Sequence, residues 1–229
     1  MDKAEIEAAL DASEAALAPG GPGGPGNLSG TGFWKAVAAI KREPGLADEF
    51  ADRMALIDRT AFERWALLTL PIPLGTALAI IGTLLGLGVI TVGYYVDEPW
   101  NGLLLLAGTG IILVPTHGLG HLVVGRLSGM RFTHWFVGTV RMPQPGVKVD
   151  YSTYLRTPAA SRAWMHASGA IVTKAIPFLM LGAAWGMEAP GWAWAALLVI
   201  GAVTVATDAL WSTKSSDWKK FSRERRYMQ

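Results

Sequence analysis

His117 and His121 stand four residues apart in the run VPTHGLGHLVV, inside an otherwise uncharged apolar stretch. On a helix that spacing puts both imidazoles on one face, one turn apart, as a helix offers two nitrogen ligands to zinc. Ionisable groups in an apolar segment of membrane length are costly and therefore read as functional. In the zinc-hydrolase pattern H-E-x-x-H the residue after the first histidine is a glutamate that serves as general base. Here that position is Gly118. Three further titratable side chains lie in apolar runs: His166, Lys174 and Asp208. Asp208 is the candidate third ligand. His166 is a candidate base or fourth ligand, or a ring satisfied by a neighbouring carbonyl. Asp208 has an alternative partner in Lys174, because a buried carboxylate needs a cation.

The elements that must position these residues are membrane spans. Hydrophobic residues make up 51% of the chain and charged residues 17%, with a mean hydropathy of +0.32. The apolar residues gather in long runs, which predicts an α-helical integral membrane protein. Four spans are expected, at residues 66–96, 102–125, 163–187 and 191–212, together a membrane domain over 66–212. The histidine pair falls in the second, His166 and Lys174 in the third, and Asp208 in the fourth. The net charge of +2 is too small to suggest nucleic acid, and the absence of cysteine excludes disulfides and thiolate metal sites.

Ahead of the spans, residues 1–17 are acidic and helix-prone, without the basic n-region and apolar core of a signal peptide. Residues 19–32 form a Gly/Pro linker, and residues 1–32 together are expected to be disordered. Residues 33–65 read as amphipathic helices broken at Pro44, with Leu46, Phe50, Met54, Ile57 and Ala61 on one stripe. They suit the membrane surface, the body of the protein or a partner. Residues 213–229 are a basic tail.

Charge sets the orientation. Asp97 and Glu98 lie between the first two spans and Glu188 between the last two, with no Lys or Arg in either loop. Residues 126–162 instead carry Arg126, Arg131, Arg141, Lys148, Arg156 and Arg162, and the tail carries Lys214, Lys219, Lys220, Arg223, Arg225 and Arg226. Positive charge marks the cytosolic side, so both termini are expected in the cytoplasm. At about 1.5 Å per residue, His117, His121 and Asp208 then lie roughly 8–14 Å from the cytosolic ends of their spans. His166 lies at a similar depth.

Between the second and third spans, residues 131–142 alternate in polarity, and residues 146–156 alternate again, with Val147, Val149 and Tyr151 together. A turn at residues 143–146 (PQPG) joins them into an expected cytosolic interfacial β-hairpin.

An H-x-x-x-H helix, a cytosolic loop, a span opening with a small-residue motif and a span carrying an aspartate resemble the site-2 protease family of intramembrane zinc metalloproteases. The resemblance covers residues 102–221, about half the chain. It implies that His117, His121 and Asp208 hold zinc, and that the hairpin offers an edge to an extended transmembrane or juxtamembrane substrate. Ser168, Gly169 and Ala170 fall where that family has a Gly-Pro pair, and Thr173 falls near its asparagine. Gly118, Ala170, Thr173 and Ala209 each depart from the family's residues. The base cannot be carried over, so His166, or Asp150 from the hairpin, is the substitute. The alternative is a non-catalytic relative that keeps the metal and binds membrane protein partners. A Lys174–Asp208 transport relay is a further class.

Overall fold

A computed structural model of the chain describes residues 1–21, 26–140, 143–210 and 216–228. Residues 22–25 of the linker, Arg141 and Met142 of the first alternating run, positions 211–212 of the fourth expected span and Lys214 lie outside the described residues. The described chain is mostly helical and packs as two units.

The first unit comprises Met1–Ile72, Gly125–Arg162 and Arg226–Gln229. Its N-terminal helix α1 (Lys3–Leu17) opens with a capping box: Asp2 accepts from the Glu5 backbone at 2.8 Å, and Glu5 accepts from the Asp2 backbone at 2.9 Å. This pairing satisfies two of the N–H groups that a helix start leaves open. Ile6, Leu10 and Leu17 are buried as α1 packs on α2 (Phe33–Arg42) and α3 (Gly45–Trp65). Residues 3–17 are thus a packed helix where a disordered segment was expected. Its one apolar stripe and the bridges from Arg53 to Asp11 (2.5 Å) and Glu14 (2.8 Å) supply the reason.

The same unit holds a three-stranded antiparallel sheet in the order β1 (Leu68–Pro71), β2 (Phe132–Val137), β3 (Pro145–Val149). Leu68 pairs with Val137 and Pro71 with His134, while Trp135 pairs with Val147. The hairpin is present, and β1 extends it with residues assigned from sequence to the first span. Pro71 has no N–H to give a ladder, and it sits at the end of an edge strand, where that costs least. The second alternating run stops at Val149. Asp150 accepts from the Ser152 backbone at 2.9 Å and starts helix α6 (Tyr151–Arg156), so capping chemistry overrides the period-two pattern there. Asp150 also pairs with Arg59 at 3.5 Å. The Arg156 guanidinium bridges Asp52 at 2.8 Å and joins α6 to α3. Asp58, buried on α3, is paired with Lys148 of β3 at 2.6 Å.

The second unit comprises Pro73–Val124 and Ala163–Arg225. Among the described residues, four helices are long and apolar enough to cross a membrane: α4 (Ile72–Gly93), α5 (Trp100–Leu127), α7 (Ala159–Gly186) and α8, Gly191–Leu210. Helix α9 (Asp217–Arg225) follows them. Ile90, Leu105, Ile112, Ile176 and Leu197 form the buried core of this unit. A Cβ on Gly108 would meet the Gly86 carbonyl oxygen at 2.6 Å, so α4 and α5 approach backbone to backbone at that glycine pair. At the start of α5 the buried Asn101 donates to the carbonyl of Met187, just past the end of α7, at 3.2 Å. Most remaining side chains on α4 and α8 face outward and are apolar, including Leu84, Leu85, Val199 and Val203. That is the surface a helix presents to lipid rather than to water.

Candidate metal centre

His117 and His121 lie on α5 with their rings edge to face, centroids 4.7 Å apart. Their Nε2 atoms are 3.2 Å from each other. The third group against them is Asp217, the first residue of α9, whose Oδ2 lies 3.1 Å from His117 Nε2 and 3.2 Å from His121 Nε2. Three donor atoms therefore form a nearly equilateral triangle. Donors at two corners of a tetrahedral zinc site, with bonds of about 2.0–2.1 Å, lie roughly 3.3 Å apart. The triangle is the size of one face of such a site.

The hydrogen bonds on the far sides of both rings determine what the Nε2 atoms present. His121 Nδ1 lies 2.6 Å from the Met165 carbonyl oxygen. A carbonyl can only accept, so Nδ1 carries the proton and Nε2 of the neutral ring is a lone pair. His117 Nδ1 lies 2.9 Å from Thr173 Oγ1, and that hydroxyl gives its own hydrogen to the Gly169 carbonyl at 3.0 Å. Thr173 is thus an acceptor toward the ring, and His117 Nε2 is a lone pair as well. Backbone or side-chain partners on Nδ1 are the usual device that orients metal-ligating histidines.

Asp217 supplies the charge. Burial pushes its carboxyl up, while the neighbouring Lys220 ammonium pulls it down, toward the deprotonated form that a metal ligand must take. Lys220 donates to Oδ1 at 3.0 Å, which leaves Oδ2 as the oxygen turned to the histidines. Two imidazole lone pairs and a carboxylate oxygen converging at 3.1–3.2 Å repel one another unless a positive centre lies among them. The donor set of two nitrogens and one oxygen fits a first-row divalent cation.

Local sequence explains the fit. Gly169 on α7 leaves the space that the His121 ring fills: a Cβ there would stand 2.4 Å from Nε2. Ser168 donates to the Met165 carbonyl at 2.7 Å, the same oxygen that anchors His121. His121 is buried, while about a third of the His117 side chain, at 33%, is exposed. The triangle is therefore open on the His117 side.

The expected residues fall as follows. His117 and His121 come together as the spacing required. Asp208 does not join them: it lies on α8 against Lys174 of α7, the alternative partner that the sequence offered, and the carboxylate beside the histidines is Asp217 instead. Lys174 also donates to the Ala170 carbonyl at 3.3 Å. His166 follows Met165 on α7 and lies within electrostatic reach of His121, Asp217, Lys220 and Glu224, without joining the three ligand atoms. Asp150 caps α6 in the first unit. Gly118 is buried in α5. Depth along the spans does not reveal Asp217, because it belongs to a helix that starts beyond them. Its one signal is its place as the lone acid of residues 213–223, whose other charges are Lys214, Lys219, Lys220 and Arg223.

Comparison of the chain with family models, curated proteins and solved structures gives no match.

Proposed function

We propose that this chain is a multi-pass membrane metalloprotein that binds zinc through His117, His121 and Asp217, and that it acts as a site-2-protease-like peptidase on transmembrane or juxtamembrane segments. The observation that carries the reading is the convergence of three lone pairs, both ring tautomers fixed from behind, with one side left open. Three protein ligands and an open fourth position are the pattern of a catalytic zinc site, and four protein ligands that of a structural one. The flanking charges support a site near the cytosolic ends of the spans and termini in the cytoplasm.

Zinc, when bound, supplies a polarised water and a Lewis acid toward a peptide carbonyl. The protein must then take the proton of that water. Gly118 has no group to do so. His166, within electrostatic reach of His121 and Asp217, is the residue to which this reading gives the role. Lys220 holds the second oxygen of Asp217 and keeps the carboxylate oriented.

The buried Gly118 favours a second reading, in which the metal is retained without hydrolysis and the protein binds membrane protein partners. Loss of a general base costs about 10²–10⁴-fold in rate, so the two are separable by assay. The purified chain is expected to carry one zinc. His117→Ala and Asp217→Ala should lose it, and Asp208→Ala should keep it. Zinc that survives Asp217→Ala defeats the ligand set. Cleavage of a transmembrane reporter by the wild type, abolished in His166→Ala, supports the peptidase. Cleavage seen only after Gly118→Glu supports the second reading.

A further inference from the structure

The helix that carries Asp217 has two unlike faces. Asp217, Lys220 and Glu224 lie three and four residues apart and turn inward: Lys220 bonds Asp217, and Glu224 is buried. The charged side chains turned outward are Lys219, Arg223 and Arg225, all exposed and all positive. Beside them stands an aromatic group. Trp218 stacks on Phe221 at 5.3 Å, Trp164 from the start of α7 meets Phe221 edge-on at 5.6 Å, and the Arg225 guanidinium lies over the Phe221 ring at 5.8 Å. Trp164 and Trp218 remain 56% and 41% exposed. Indole rings that are half out, next to a purely cationic strip and at the end of a membrane-length helix, match the chemistry of a headgroup layer.

We infer that the outward face of α9 docks on anionic lipid headgroups, and that this docking holds Asp217 against His117 and His121. The inference rests on the metal-centre reading above and adds its regulation. Each Lys or Arg near an anionic surface adds to the attraction. Three such charges sit on the same nine-residue helix as the third ligand. A helix seated on the membrane presents Asp217 at the histidines; a helix that leaves it withdraws the only anionic ligand of the trio. Two sites coupled through one element affect each other equally, so bound zinc must also tighten the lipid contact.

The test uses the full chain in nanodiscs, either pure phosphatidylcholine or with about one third phosphatidylglycerol, and chelator-buffered Zn²⁺ as the probe. An anionic surface concentrates Zn²⁺ for any embedded chain, so the readout is the difference between wild type and a Lys219→Gln/Arg223→Gln/Arg225→Gln variant in the same disc. None of the three substituted residues touches the centre. In anionic discs wild type should bind zinc about tenfold more tightly than the variant, and in neutral discs the two should agree. Equal affinities in anionic discs, with one zinc bound to each, overturn lipid docking and leave the metal centre standing. Absence of stoichiometric zinc from both chains in every disc overturns the centre itself, and the coupling with it.

Discussion

At the centre, two hydrogen bonds decide the chemistry of two rings. The Met165 carbonyl and the Thr173 hydroxyl each accept a hydrogen bond from the Nδ1–H of one histidine, and that is what turns both Nε2 lone pairs toward Asp217. Thr173 does so only because Gly169 accepts its hydrogen. Thr173→Val keeps the volume of the side chain and removes the acceptor. Zinc affinity measured by chelator competition should fall about 10–100-fold, the usual cost of losing such a partner. Gly169→Ala should be harsher, because its methyl group lands on the His121 ring. Wild-type affinity in both variants would mean that the far-side contacts do not orient the ligands. Sequence spacing exposes the histidine pair itself, since residues at i and i+4 share a helix face whatever surrounds them. It does not expose Thr173 as an orienting group, because a threonine inside an apolar helix ordinarily bonds its own backbone, as Thr83 and Thr109 do here.

At the scale of elements, the first unit is held by one buried ion pair that links α3 to β3 and by exposed pairs that link α3 to α1 and α6. Burial pushes the Asp58 carboxyl up, and the Lys148 ammonium at 2.6 Å opposes that. Lys148 further covers the rings of Phe62 and Tyr151, at 5.0 and 5.1 Å. Lys148→Met should destabilise this unit by about 3–5 kcal/mol at pH 7, because it strands a buried charge. The loss should shrink toward pH 4. A carboxyl whose pKa is raised in the folded state stabilises that state below its unfolded pKa, and the contribution is lost as pH rises through the folded value. Hydrogen exchange of α3 and β3 amides checks both the size and the slope. A double replacement, Asp58→Leu/Lys148→Met, should come back to near wild type, and if it does not, packing rather than charge governs the site. The exposed Arg53 and Arg156 pairs are worth far less, on the order of 0–1 kcal/mol each. Alternation made the hairpin legible; β1 was hidden because Leu68–Pro71 runs straight into an apolar helix and shares its hydropathy.

For the molecule as a whole, the absence of cysteine makes topology directly measurable. Ser29→Cys and Gly191→Cys each place one thiol at an exposed position, before the first span and at the start of the last. In sealed vesicles of known orientation, a membrane-impermeant maleimide should reach Ser29→Cys from the cytosolic side and Gly191→Cys from the opposite one. Labelling of both from one side would overturn the arrangement of four spans with cytosolic termini. What local chemistry determined here is considerable. The four apolar helices follow from run length, because a membrane-length run needs no partner to be recognised. The histidine pair follows from helical period and the hairpin from alternation, but the turn expected at residues 143–146 does not hold, since Pro145 and Gly146 pair with Val137 and Phe136 as the start of β3. The tertiary structure alone chose between two aspartates. Asp208 had a cation available on the neighbouring span and took it, while Asp217, 96 residues from His121, reached the histidines on a helix of its own. Depth along a straight span can be counted from sequence. Which helix packs against which cannot, because that is settled by the summed fit of side chains far apart in the chain.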